Sequence, residues 1–199
     1  MPIIAGTTSA DVLLGTINAD LFVINNAGDS IAGGSSQDQV LSLLPAYQLP
    51  VGLGTLILGA GAIAGTGNAG QNTIAGNRRD NLLDGGAGMD QLFGGAGRDT
   101  FLFSYAGPFN ADEVQDFEAG YDTIAVRGQS FGLAAGTAIG FELNRQATTA
   151  APTFLRYGFF GTGQAIYFDR DGHGAERPQL LCVLQAFAGP TTVQSFAVV

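Results

Sequence analysis

The sequence predicts an all-β protein: a parallel β-roll, or β-solenoid, finished by a strand-rich C-terminal cap. Three observations predict it. Glycine supplies 31 of the 199 residues, about double ordinary usage. A nine-residue pattern, G-G-x-G-x-D-x-U-x with U a large apolar residue, recurs along the chain, and a short fixed period is the mark of stacked repeats. Within each unit the apolar residue follows the Asp or Asn by two positions, so a tight turn alternates with a very short strand.

The plainest copies are Gly85-Gly86-Ala87-Gly88-Met89-Asp90-Gln91-Leu92-Phe93 and Gly94-Gly95-Ala96-Gly97-Arg98-Asp99-Thr100-Phe101-Leu102. The preceding unit, Gly76 to Asp84, carries Asn81 in the Asp place and Leu83 at U. The unit before that, Gly67 to Ala75, carries Asn72 and Ile74. Four consecutive units thus keep one phase. A weaker array begins the chain, with Asp11, Asp20, Asp29 and Asp38 at position six and Leu13, Phe22, Ile31 and Val40 at position eight. The two arrays are out of phase, which reads as an insertion over residues 42–66 with short strands of its own. The expected organisation is degenerate repeats and insertion strands in 1–66, the regular roll in 67–126 and a strand-rich region in 127–199.

Glycine allows positive φ and lets the backbone bend so that carbonyls converge. The Asp or Asn closes the turn, and U points into a narrow core between two sheets. With two units per coil, a residue lies over its equivalent eighteen positions away, so Asp90 stacks on Asn72 and Asp99 on Asn81. One large apolar side chain per nine residues makes a thin core. Burying it yields about 1.5–3 kcal/mol, against about 1–2 kcal/mol for ordering each residue's backbone. Another source of stability is needed.

Calcium is the candidate. Ca²⁺ takes six to eight oxygens, mixing carboxylates with backbone carbonyls. A turn such as Gly85, Gly86, Ala87, Gly88 and Asp90, or Gly94, Gly95, Ala96, Gly97 and Asp99, offers carbonyls and one carboxylate, and a stacked turn bearing Asn72 or Asn81 completes the shell. Composition agrees: the net charge is −9, there is no Lys, and Asp far outnumbers Glu. The repeats resemble the RTX, or haemolysin-type, nonapeptide family, whose members build a calcium-loaded parallel β-roll. In the N-terminal array glycine pairs are missing except at Gly33-Gly34, so its Asp residues either bind calcium or serve only as turn residues.

The resemblance extends beyond the repeats. Asp112-Glu113-Val114-Gln115-Asp116-Phe117-Glu118-Ala119-Gly120-Tyr121-Asp122 is similar to the segment that follows the repeats in serralysin-like C-terminal domains. By that resemblance Asp112, Asp116 and Asp122 are either further ligands at the end of the roll or solvated turn residues. The strand Ala165 to Phe168, the run Asp169-Arg170-Asp171-Gly172-His173-Gly174 and the apolar tail Ser195-Phe196-Ala197-Val198-Val199 also resemble that family. There the C-terminal region is an uncleaved signal for type I export. Ser195, where the family commonly has Asp, and Cys182, in proteins that usually avoid cysteine, are departures. The start of the chain shows no basic and apolar signal-peptide pattern.

Other chemistry is poorly supported. A lone Cys182 forms neither a disulfide within the chain nor a thiolate cage. A zinc protease needs H-E-x-x-H, and His173 is the one histidine. Asp169-x-Asp171-Gly172 begins like an EF-hand, but Leu180 stands where the loop needs Glu. Gly28-Asp29-Ser30-Ile31 resembles the first block of GDSL-type esterases, yet it lies in phase with the repeats and the late D-x-x-H is missing. Net acidity argues against nucleic acid. Residues 39–77 carry no charge, but Pro45, Pro50 and recurrent glycines interrupt any helix long enough to span a membrane.

The expected function is therefore a secreted bacterial calcium-binding protein without catalysis, folding on Ca²⁺ outside the cell. Its expected partners are calcium ions, the type I secretion machinery and a cell-surface target or a second copy of itself. The alternative is the export and folding module of a secreted enzyme of the protease, epimerase or lipase type. Met1 and the missing catalytic module favour a stand-alone protein.

Overall fold

A three-residue strand with one inward side chain buries too little to stand alone, and here each is held by parallel pairing with its equivalent one coil away. The computed structural model describes residues 1–107, 109–134, 136–138, 140–142, 152–160, 163–171, 177–185 and 196–199. One sheet stacks β1 (Ile3–Ala5), β3 (Leu21–Ile24), β5 (Gln39–Ser42), β7 (Thr55–Leu58), β9 (Thr73–Ala75), β11 (Gln91–Phe93) and β13 (Asp112–Val114). The facing sheet stacks β6 (Ala46–Gln48), β8 (Ala64–Thr66), β10 (Leu82–Asp84), β12 (Thr100–Phe103) and β14 (Thr123–Val126). On that side β2 (Val12–Leu14) and β4 (Ser30–Ala32) form a separate pair. The chain is a parallel β-solenoid.

The register is the expected eighteen. Ile3 pairs with Leu21, Thr55 with Thr73, Thr73 with Gln91 and Leu82 with Thr100. Each U residue is therefore followed by the next along the axis: Phe22, Val40, Leu56, Ile74, Leu92 and Val114 line one sheet, all fully buried. Leu83, Phe101 and Ile124 face them from the other.

The segment 42–66 is not an insertion. Its strands β6, β7 and β8 continue the same two sheets. Gln39 pairs with Thr55, a coil of 16 residues where its neighbours have 18. The phase break between the arrays is thus a coil two residues short, and the solenoid passes through it unbroken. Two later coils are longer: Gln91 pairs with Glu113 and Thr100 with Thr123.

Beyond the repeats, β13 pairs in parallel with β18 (Gln179–Leu184), and the sheet continues through the antiparallel strands β17 (Gly163–Asp169) and β16 (Thr153–Phe160) to β15 (Gly140–Glu142). Cys182 sits opposite Asp112 as a free, buried thiol. The last strand, β19 (Phe196–Val198), adds to β14 on the facing sheet. Phe154 packs between Phe168 and Phe196 at ring distances of 5.0 and 4.6 Å, and Phe131 meets Phe168 edge-on at 5.3 Å. These rings plug the end of the roll with the large apolar area its thin core lacks.

Among the described residues the one helical element is a single 3-10 turn, Gly128–Phe131, and no helix is long and apolar enough to cross a membrane. Ser30 opens β4, its hydroxyl 3.5 Å from the Asp11 carbonyl. His173 and Ser195 lie outside the described residues.

Candidate metal centre

Every coil makes two turns, so the turns form two stacks along opposite edges of the roll. One stack contains turns 15–20, 33–38, 49–54, 67–72, 85–90 and the one that ends at Asp112; the other contains 6–11, 24–29, 58–63, 76–81, 94–99 and 116–122. Positions are counted from the first residue of each turn, which places Asp90 and Asp99 at position six.

The position-six side chains reach back to the previous coil. Oδ1 of Asp90 accepts the Asn72 N–H at 2.7 Å, and Oδ1 of Asp99 accepts that of Asn81 at 2.8 Å. Asp112 and Asp122 do the same to Asp90 and Asp99, at 3.0 and 2.9 Å. Asp29 and Asp38 do it to Asp11 and Asp20, at 3.0 and 2.8 Å. The stacking predicted for Asp90 and Asp99 is therefore present, and both arrays share it.

The second oxygen separates the arrays. In the N-terminal turns it closes its own turn. Asp20 Oδ2 accepts the Thr16 N–H at 2.6 Å, Asp29 Oδ2 accepts those of Asn25 and Asn26, and Asp38 Oδ2 accepts that of Ser35. Asn72 and Asn81 likewise accept the N–H of Asn68 and Asn77. Asp90 and Asp99 differ: Oδ2 of each is buried and accepts no N–H of its own turn, and the Asp90 carboxyl lies against that of Asp112.

The glycine at position two explains the difference. Gly86 and Gly95 have φ of 89° and 93°, a conformation that only glycine adopts without strain. Their N–H groups are satisfied elsewhere: Gly86 donates to Asp84 Oδ1 at 3.0 Å, Gly95 to Asp116 Oδ2 at 2.9 Å. Each perfect turn thus releases one carboxylate oxygen. Close approach of the turns demands glycine as well. A Cβ on Gly88 would stand 2.7 Å from the Gly70 carbonyl oxygen, and one on Gly97 2.8 Å from that of Arg79.

A buried oxygen anion without a donor costs free energy unless a cation or a proton joins it. Burial pushes the Asp99 carboxyl up to about 6 and raises that of Asp122. Burial likewise pushes Asp90 and Asp112 well above the usual carboxylate range, reinforced at Asp112 by the adjoining Asp90 charge. Asp29 goes the other way: burial opposes ionisation, but the N–H groups of Asn26, Asn25 and Asp11 hold its pKa below the ordinary value. The perfect repeats collect negative charge that they do not neutralise.

Calcium fits this donor set. Among the described residues no three His, Cys, Asp or Glu side chains converge on one point, so a cation here would draw most of its oxygens from the backbone. Hard cations of calcium's size accept such a mixture of carbonyl and carboxylate. Ligands could come from the turns 85–90 and 94–99, which carry Gly85 to Gly88 and Gly94 to Gly97. Asp112 and Asp122 are brought to the same columns by the longer coils. Asp116 is not: its two oxygens take the Gly94 and Gly95 N–H groups at 2.8 and 2.9 Å, so it shapes the turn that holds Asp99. Asp122 also closes its own turn through Glu118 N–H.

Sequence reading missed Asp84. It is nearly buried, braces Gly86 and pairs with Arg127 at 3.0 Å, with Ser104 bridging them. Its signal was its place, directly before the glycine pair.

The raised carboxyls make the metal-free fold pH-sensitive with a definite sign. Groups whose folded pKa lies above the unfolded value contribute stability that is complete below the unfolded pKa, near 3.8, and lost as pH rises through the folded pKa. Calcium-stripped protein should therefore melt at a higher temperature at about pH 5 than at about pH 8. Calcium binding requires the carboxylates and releases protons, so the increment on adding calcium should be larger at the higher pH. Scanning calorimetry of both forms checks this; equal melting of stripped protein at the two pH values would refute the charge assignment.

Among curated proteins none matches the chain. Residues 66–101 match the family model of the RTX calcium-binding nonapeptide repeat (4 copies). That range covers the turns of Asn72, Asn81, Asp90 and Asp99, so the match to the RTX calcium-binding nonapeptide repeat falls where the solenoid leaves two buried carboxylate oxygens without a donor from their own turns.

Proposed function

We propose that this is an exported bacterial β-roll protein whose calcium ions bind between the stacked turns from 67 to 122, and whose role outside the cell is structural or adhesive. The observation that carries the reading is the pair of buried oxygens on Asp90 and Asp99 that accept no N–H of their own turns. They create a demand for cations that the calcium concentration outside a cell meets and the scarce free calcium inside it does not. The protein is proposed to act as a binding and scaffolding module without catalysis.

Export through a type I system agrees with where the tail lies. In the folded roll Phe196 and Val198 are inward, nearly buried residues of β19 paired with β14. A secretion apparatus could read that tail only from a chain not yet folded, and a calcium-dependent roll stays unfolded until it reaches calcium. In a bacterial host carrying such an apparatus, the full chain is expected in the medium with calcium bound by elemental analysis, and a chain lacking residues 160–199 is expected to stay inside. Equal export of the truncated chain would remove the tail from the reading.

A further inference from the structure

We infer that Asn68 and Asn77 determine where the calcium ladder begins, because their carboxamides occupy the inter-turn space that a cation occupies farther along. The inference rests on the proposed calcium sites at Asp90 and Asp99.

The two side chains repeat one geometry on opposite edges of the roll. Asn68 Nδ2 donates to the carbonyls of Pro50 and Leu53, both at 2.8 Å. Asn77 Nδ2 donates to those of Gly59 and Ala62, both at 2.8 Å. In each case one amide bridges the position-two and position-five carbonyls of the turn one coil earlier. The position-six asparagines join from the side, Asn72 Nδ2 reaching Leu53 O at 3.3 Å and Asn81 Nδ2 reaching Ala62 O at 3.2 Å. Converging carbonyls need positive charge from somewhere. Here N–H groups of two amides provide it, with no ion.

The turns beneath could not supply a charged ligand. Gly54 and Ile63 hold their position six. One coil further on, every element of the arrangement is exchanged. Gly86 and Gly95 replace the position-two asparagines, Asp90 and Asp99 replace the position-six ones, and a free carboxylate oxygen appears. No side chain could plug these gaps. A Cβ on Gly86 would come within 2.5 Å of the Asn68 carbonyl oxygen, and one on Gly95 would overlap that of Asn77. A different amide contact joins coils nearer the N-terminus, where two side chains each reach a single carbonyl: Asn26 Nδ2 donates to Thr8 O and Asn25 Nδ2 to Gly6 O, both at 2.7 Å.

Residues 1–84 are therefore a calcium-independent stretch of solenoid, and β11 and β12 rest on it. In a linear repeat array each unit depends mainly on its neighbours. The amide-sealed coils give the calcium coils a ready edge on which to assemble, so the first ion does not have to order both of its turns alone.

Hydrogen-exchange mass spectrometry of the full chain, in calcium and in EGTA, tests this. Residues 1–84, which include the sealing turns, are expected to stay protected in both, and 85–126 in calcium alone. If both segments lose protection together in EGTA, the seal is refuted while the calcium sites stand. If neither changes, the calcium sites fail and the inference with them. The isosteric variant Asn68→Asp removes both N–H donors and sets a carboxylate against two carbonyls. In EGTA it should exchange roughly tenfold or more faster across 49–58, the loss of one to two net hydrogen bonds. Calcium should restore protection there, and native mass spectrometry should count one more ion than in the parent. Unchanged exchange of Asn68→Asp in EGTA overturns the role given to the amide.

Discussion

Stripping calcium is expected to abolish most β-structure between residues 85 and 126 and to lower the melting temperature of the whole protein. The core cannot hold these coils alone. Each contributes one large inward residue per nine, Leu92 and Phe101 in turn, while its turns bring Asp90, Asp99, Asp112 and Asp122 into two columns of buried carboxyls. At neutral pH those columns repel themselves. A cation at each level reverses the sign of the interaction. Free calcium at ~100 times its dissociation constant adds about 2.7 kcal/mol per site, and two or more sites then match the net stability of a small domain, about 5–15 kcal/mol. Circular dichroism and thermal melts with EGTA and with restored calcium measure this. A spectrum and melting temperature indifferent to EGTA would end the calcium-dependent account of the fold.

Asp90→Ala and Asp99→Ala are expected each to remove at least one calcium from the count, whereas Asp29→Ala keeps the full number. All three Asp residues occupy position six and make the same bond to the preceding coil. Their burial and their second oxygens differ: Asp29 is partly exposed and its Oδ2 is committed to the Asn25 and Asn26 N–H groups, while Asp90 and Asp99 are buried and their Oδ2 atoms have no donor from their own turns. Asp29→Ala therefore costs turn closure and some stability without touching a metal. Asp90→Asn is a finer probe, because it recreates the residue present at 72 and 81. Its amide can seal against carbonyls as theirs do, so it should lose the ion and retain more structure than Asp90→Ala. Isothermal titration and native mass spectrometry order the four variants. Full calcium binding in Asp90→Ala and Asp99→Ala, with loss in Asp29→Ala, would mean that the metal lies in the other array.

Much of this was legible in the residues. The perfect units at 85–93 and 94–102 contain the glycine pairs, the carboxylates and the inward Leu92 and Phe101, and the eighteen-residue register follows from two units per coil. What was not legible depends on contacts between coils. The short coil from Gln39 to Thr55 looks in sequence like a break, because dropping two residues shifts every later motif although the strands still align. Asp116 looks like another ligand in its run of acids, yet its oxygens go to Gly94 and Gly95. Asn68 and Asn77 look like tolerated substitutions of a glycine. Their function is visible once the carbonyls of the turn beneath are in place, and those carbonyls belong to Pro50, Leu53, Gly59 and Ala62, residues outside any match to the motif.

The division of the turns between two edges sets a parity on how such a chain can lengthen. Neighbouring nonapeptides face opposite ways, and each position-six side chain addresses the coil before its own. Adding eighteen residues after Asp84 would lengthen both columns by one level and leave all later partners in place. Adding nine would send every subsequent turn to the other edge, so that Asp90 followed Asn81 in place of Asn72 and every later strand changed sheet relative to the N-terminal coils. Insertion of a single unit would thus exchange the sheets of everything that follows it, where insertion of a pair would leave each strand in its own sheet.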